Sequence, residues 1–225
     1  MKNATKAFMA VVLVAGWENL ANAQSTLTIY DGVNPLITVV DNGPGDGSAL
    51  SGDIFVSTNV GVWSLTISSA ITKPVIGSPN NPVMDINVQA ISSAAGSLRY
   101  VFSDNNYVFS PGTVNATLTG GINYGAATAA ETVYGDPANV VGATTVLLAN
   151  TGTSSLPVIA SASGAIILPA PYSLTEIVQL NASRASSLNV DASFNVTAVP
   201  EPGSAAIALL GVAAAVAARR KRATA

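Results

Sequence analysis

The 225 residues include 49% apolar side chains but only 9% charged ones, with no cysteine and no histidine. Without cysteine there is no disulfide framework, and without histidine no Ser-His-Asp or Cys-His site and no imidazole metal ligand. Between the two ends only Lys73, Arg99 and Arg184 are basic, against ten acidic residues, which argues against nucleic acid or an anionic membrane as partner of that region.

The chain begins with Lys2 and Lys6, followed by an apolar run from Ala7 to Gly16. Ala21-Asn22-Ala23 then supplies a small-x-small site. This order is that of a secretory signal, predicted over residues 1–23, with signal peptidase cutting between Ala23 and Gln24. The apolar run is too short for a permanent span, which needs about 20 residues.

From Gln24 to Ala198 the pattern is apolar–polar alternation interrupted by turn residues, which predicts an all-β domain. In chain order the predicted strands are Thr26–Tyr30, Leu36–Val40, Ile54–Thr58, Trp63–Ser68, Asp85–Ala90, Ser97–Ser103, Val114–Thr119, Thr144–Ala149, Leu174–Leu180 and Leu188–Ala198. The last is the clearest: Leu188, Val190, Ala192, Phe194, Val196 and Ala198 alternate strictly with polar residues. Between the strands lie Gly-, Pro- and Asn-rich turns such as Asp41 to Gly47 and Gly77 to Pro82. Strands of this number and spacing suggest an antiparallel β-sandwich, jelly-roll or Ig-like, over residues 24–198. The small-residue stretches Ala126–Glu131 and Ala160–Ala165 fit neither template.

Four features of this region bear on chemistry. Asp41, Asn42 and Asp46 could offer oxygen ligands to calcium, but a surface turn fits better, because Pro44 interrupts the loop and no Glu follows. Ten acidic residues allow a glycosidase-type carboxylate pair, yet no local motif selects one. Trp63 shares a face with Leu65 and reads as a core residue, whereas Tyr107, Tyr124, Tyr134 and Tyr172 fall in or beside predicted loops. Asn115, Asn181 and Asn195 head Asn-x-Ser/Thr triplets that mean no more than strand polarity. No cofactor is implied.

The C-terminal region, residues 199–225, has three parts. Val199-Pro200-Glu201-Pro202 precedes an apolar helix predicted from Ala205 to Ala218, followed by Arg219, Arg220, Lys221 and Arg222. The helix would span roughly 20 Å, short against a hydrocarbon core of about 30 Å. Its basic end would stay cytoplasmic, as a stop-transfer cluster does. Together these residues resemble the PEP-CTERM sorting signal. That resemblance implies removal of the tag near Pro200, Glu201 and Pro202 by exosortase, a membrane protease-transpeptidase of Gram-negative exopolysaccharide producers. Asp41 to Asp46, Val60 to Trp63, Ile71 to Pro74 and Val101 to Asp104 also resemble the bodies of a recurrent set of PEP-CTERM proteins.

The expected protein is therefore exported, held briefly at the inner membrane through its C-terminal helix, and released to the cell surface or extracellular matrix. Its expected role is structural or exopolysaccharide-associated and not enzymatic. A carboxylate-dependent, polysaccharide-active enzyme is the alternative.

Overall fold

The computed structural model describes residues 25–198; the signal-cleavage residues, the sorting motif and the basic cluster lie outside them. Fourteen strands are formed, in chain order β1 (Thr26–Tyr30), β2 (Ile37–Val40), β3 (Asp53–Phe55), β4 (Thr58–Val60), β5 (Trp63–Ile71), β6 (Val83–Ser92) and β7 (Gly96–Tyr107). They continue as β8 (Gly112–Tyr124), β9 (Ala127–Asp136), β10 (Val146–Asn150), β11 (Ser154–Ser155), β12 (Val158–Ile166), β13 (Tyr172–Ala182) and β14 (Ser186–Ala198).

These build two antiparallel sheets. Sheet A runs β10-β9-β13-β7-β1-β2, with β11 on β9; sheet B runs β12-β8-β14-β6-β5-β3, with β4 on β5. The chain crosses between sheets at β2-β3, at each step of β6-β7-β8-β9, and at each step of β11-β12-β13-β14. As a result β13 and β14, the last strands made, occupy the middle of their sheets. Sheet A is incomplete until β13 is in place, and sheet B until β14, the strand just before the sorting region.

The alternation read in the sequence becomes the core. Leu188, Val190, Ala192, Phe194 and Val196 of β14 are buried against Leu27, Ile29, Leu98, Tyr100, Phe102, Val178 and Leu180 of sheet A. Burying each large apolar side chain contributes about 1.5–3 kcal/mol, so this inner layer supplies most of the driving force in a chain without disulfides.

Four sequence expectations are revised. Ala126–Glu131 lies largely in β9 and Ala160–Ala165 lies within β12. Ala127 and Ala129 face the core, but side chains this small give little hydrophobic contrast along the strand. Ile54–Thr58 is two short strands, separated where the Val56 N–H bonds to the Ser68 carbonyl. Tyr107 and Tyr172 are fully buried. Their hydroxyls find partners, Tyr107 at Thr72 and Tyr172 at the Phe109 carbonyl, which lets each ring enter the core.

Two of the recurrent segments depend on glycine. Gly61, in the β4–β5 turn, has φ +56°, and a Cβ there would sit 2.0 Å from the Asp31 carboxylate. Gly52 has φ +86°, and a Cβ would lie 2.4 Å from the Lys73 carbonyl oxygen. Both positions need positive φ and a bare backbone.

Candidate functional site

The outer faces of the two sheets differ. On sheet A, residues 137–145 fold back over one end: Gly142 N–H donates to Ser103 Oγ, and Ser173 Oγ donates to the Val140 carbonyl. Ser103, Ser173 and Thr175 are buried beneath this loop although they point away from the core. The outer face of sheet B carries no such cover from these residues.

The register of sheet B places its outward side chains in rows across the strands. One row is Ser163–Asn115–Asn195. The next is Ser161–Thr117–Ser193–Asp85–Ile71–Asp53. The third is Ile159–Thr119–Asp191–Asn87–Ser69–Phe55. A fourth pairs Asn189 with Gln89, and a shallow depression beside them is lined also by Asn123 and Ser187. The result is a grid of mostly hydroxyls and carboxamides, interrupted by Ile71, Phe55 and the strongly exposed Ile159. Asn115 Nδ2 already bridges to Asn195 Oδ1 (3.2 Å) and Thr197 Oγ1 (3.1 Å), which orders that corner.

Two carboxyls sit near the centre of the grid. Asp85 is hydrogen-bonded to Asp191, and burial, reinforced by the Asp191 charge, raises Asp85 to about 7. Asp85 therefore keeps its proton below neutrality. Hydrogen-bonded carboxyls are closer together than the roughly 5–10 Å that glycosidases use.

A second carboxyl pair lies inside the sandwich. Glu131 of β9 and Glu176 of β13 are diagonal neighbours on the inner face of sheet A, both with 0% exposure. With both ionised, none of their four oxygens finds a donor among the described residues. Burial raises Glu131 to about 7, and burial plus the Glu131 charge pushes Glu176 well above the carboxylate range. Glu176 thus keeps its proton and donates it to Glu131. No opening leads from either described surface groove to this pair, since the grooves are lined by other residues.

The calcium candidates act as loop staples. Asp46 accepts N–H groups from Ser48 (2.9 Å), Phe55 (3.0 Å) and Asn42 (2.9 Å). Asp41 Oδ2 accepts from Gly52 N–H at 2.9 Å and from Ser51 Oγ at 3.3 Å. Such bonds are what hold an Asx-rich turn. Trp63 is buried at 1% exposure, as its alternation indicated. Tyr124 is half exposed and stands alone at the end of β8, so no coplanar aromatic platform forms with Tyr107 and Tyr172, which are buried. The grid could not be found from sequence, because alternation recurs along most strands and only the register selects which polar residues adjoin.

Comparison with known proteins speaks mainly to the end of the chain. Residues 198–222 match the PEP-CTERM protein-sorting motif. The chain thus carries the sorting motif of an exosortase substrate, which implies export to the cell surface or extracellular space. No curated protein matches it.

Among solved structures, TmCBM61 in complex with β-1,4-galactotriose is 9% identical, covering 61% of this chain and 88% of that one, with a TM-score of 0.31. The CBM22-1 xylan-binding domain of Paenibacillus barcinonensis Xyn10C is 11% identical, covering 69% and 92%, with a TM-score of 0.32. The mannan-recognising carbohydrate-binding module TmCBM27 is 10% identical, covering 65% and 96%, with a TM-score of 0.30. At these scores no site or ligand carries over.

Proposed function

We propose that this protein is a structural component of the envelope or extracellular matrix whose open sheet-B face contacts exopolysaccharide. The observation that carries the reading is the grid of Ser, Thr, Asn and Gln side chains, with a carboxyl pair at its centre. Polysaccharide hydroxyls are both donors and acceptors, and a flat array of hydroxyls and carboxamides matches them bond for bond. Phe55, at the end of one row, is the single aromatic in these rows, so most contacts are weak. Retention then depends on many repeats along a long polymer, which suits a matrix component better than a catalyst.

A binding rather than a hydrolytic role is supported by the two carboxyl pairs. One is sealed in the core, and the other is too close for glycosidase spacing. The sorting region follows directly from β14, so we place the folded body next to the inner membrane before the tag is cut. In a host lacking exosortase, the chain stays in the membrane fraction with residues 199–225 attached. Release of the mature body from such cells, with its tag gone, would sink the sorting step.

The face is tested by co-sedimentation with host exopolysaccharide. A Thr117→Arg, Asn189→Arg double variant, on exposed positions of the grid, should bind about tenfold more weakly or less. Thr38→Arg on the exposed edge of sheet A makes the same kind of charge change and should leave binding intact. Equal loss in both, or no retention of the wild type, would refute the assignment to this face. Failure of the polysaccharide test leaves exosortase sorting untouched, because the two readings rest on different residues.

A further inference from the structure

Lys73 follows β5 of sheet B by two residues, and Asp104 lies in β7 of sheet A. Across the sandwich they meet in the core: Lys73 Nζ lies 2.6 Å from Asp104 Oδ2, with side-chain exposures of 6% and 0%. It is the one ion pair found among the described residues. Nζ also donates to the Asn105 carbonyl at 2.5 Å and lies 4.0 Å from the centroid of the Tyr107 ring. The Tyr172 ring backs Tyr107 at 6.1 Å between centroids. Amine and carboxyl are thus held together in a sealed, partly aromatic pocket.

The donors around Asp104 are disposed unevenly over its two oxygens. Oδ1 accepts the Asn105 N–H at 2.7 Å. Oδ2 accepts Thr72 Oγ1 at 3.0 Å and the Tyr107 hydroxyl at 3.3 Å, and those hydroxyls are themselves linked at 2.6 Å. One oxygen is therefore placed to bear negative charge against a backbone N–H, as in an oxyanion hole. The other is placed to receive a proton and leave.

We propose that the folded protein joins Lys73 to Asp104 through an amide bond, a self-formed cross-link between the two sheets. One proton first passes from Nζ to Oδ2 along their 2.6 Å contact, leaving a neutral amine beside a carboxylic acid. The Nζ lone pair attacks Cγ, forming the C–N bond while charge develops on Oδ1. The Cγ–Oδ2 bond then breaks, and Oδ2 departs as water, carrying the carboxyl proton and one amine proton. No oxidant, reductant or further reactant is needed. Thr72 Oγ1, backed by the Tyr107 hydroxyl, donates to Oδ2 as it leaves.

Two further facts support the step. Burial depresses Lys73, against the opposing pull of the Asp104 charge, which brings the nucleophilic amine within reach. Burial pushes the Tyr107 hydroxyl well above its usual range, so it remains a donor throughout. Holding the two groups in contact replaces a bimolecular encounter, a large advantage for a reaction that is slow in water. The bond would give this cysteine-free chain the covalent closure that exported domains take from a disulfide.

Tryptic mapping tests the proposal directly. Trypsin does not cut Lys73, which precedes Pro74, so cleavage falls at Arg99 and Arg184 and separates Lys73 from Asp104. We expect full-length protein with a native melting transition, digested after denaturation, to give the peptide ending at Arg99 joined to Tyr100–Arg184. Its mass should be that of the two peptides less one water. Lys73→Arg, which keeps the charge but lacks the primary amine, should give two separate peptides. Separate peptides at full mass from the wild type overturn the proposal, and so does a link that survives in Lys73→Arg. Detection of the linkage at Lys73 and Asp104 by fragmentation, absent in the variant, supports it.

Discussion

Replacing both Glu131 and Glu176 with Gln should raise the melting temperature at about pH 9 and leave it nearly unchanged at about pH 4. Both carboxyls are fully buried, with no donor but each other, and both titrate above the ordinary range. The sign follows from proton uptake. At pH values above 4.5, the ordinary Glu value, the unfolded chain loses these protons while the folded chain keeps them, so stability falls as pH rises. The Glu131 contribution falls from there to about pH 7, where its folded form also ionises. The Glu176 contribution continues to fall beyond that point.

For Glu131 alone, a rise from 4.5 to about 7 corresponds to a penalty on the order of 3 kcal/mol above neutrality. That is roughly 6–12 °C in melting temperature for a domain of this size. Asp85 and Asp191, reaching the pair from the far side of sheet B, add to the same trend. Measured melting curves of wild type and double variant should converge in acid and diverge in alkali. Parallel curves would show that the pair is not the source of the pH dependence.

The second large effect is at Trp63. Its ring is buried in β5 of sheet B, and its indole N–H donates to the Ser97 carbonyl at the start of β7 in sheet A, 3.0 Å away. Trp63→Ala removes the ring and leaves a cavity between the sheets, with an expected loss of about 3–5 kcal/mol. Trp63→Phe refills much of that volume but leaves the Ser97 carbonyl without its donor, so a smaller loss of roughly 1–2 kcal/mol is expected. Urea unfolding midpoints should therefore rank wild type, Phe, Ala. If Phe and Ala behaved alike, the hydrogen bond rather than the ring would be the main contribution.

Trp63 and Glu131 mark how far the sequence could be read. Trp63 alternates with Ser64 and Thr66 beside Leu65, so its burial follows from period-two geometry alone. Glu131 alternates too, with Ala129 and Val133, but there the periodicity predicts a buried carboxylate that local reasoning rejects. The strand is legible only once Glu176 is known to lie beside it. The burial of Tyr107 and Tyr172 is hidden from the sequence for a related reason: their hydroxyls are satisfied by residues distant in the chain, Thr72 and the Phe109 carbonyl.

From the sequence by itself come the all-β class, the strands with strong apolar contrast, the turn chemistry of Asp41 to Asp46 and the sorting address at the end of the chain. These depend on local order, spacing and alternation, which a linear string contains. Only the tertiary structure decided strand order, the row-by-row grid on sheet B, the core pair of glutamates and the meeting of Lys73 with Asp104. Each of these needs strands far apart in the chain to be set side by side in one register, and a one-residue slip would turn each side chain to the other face.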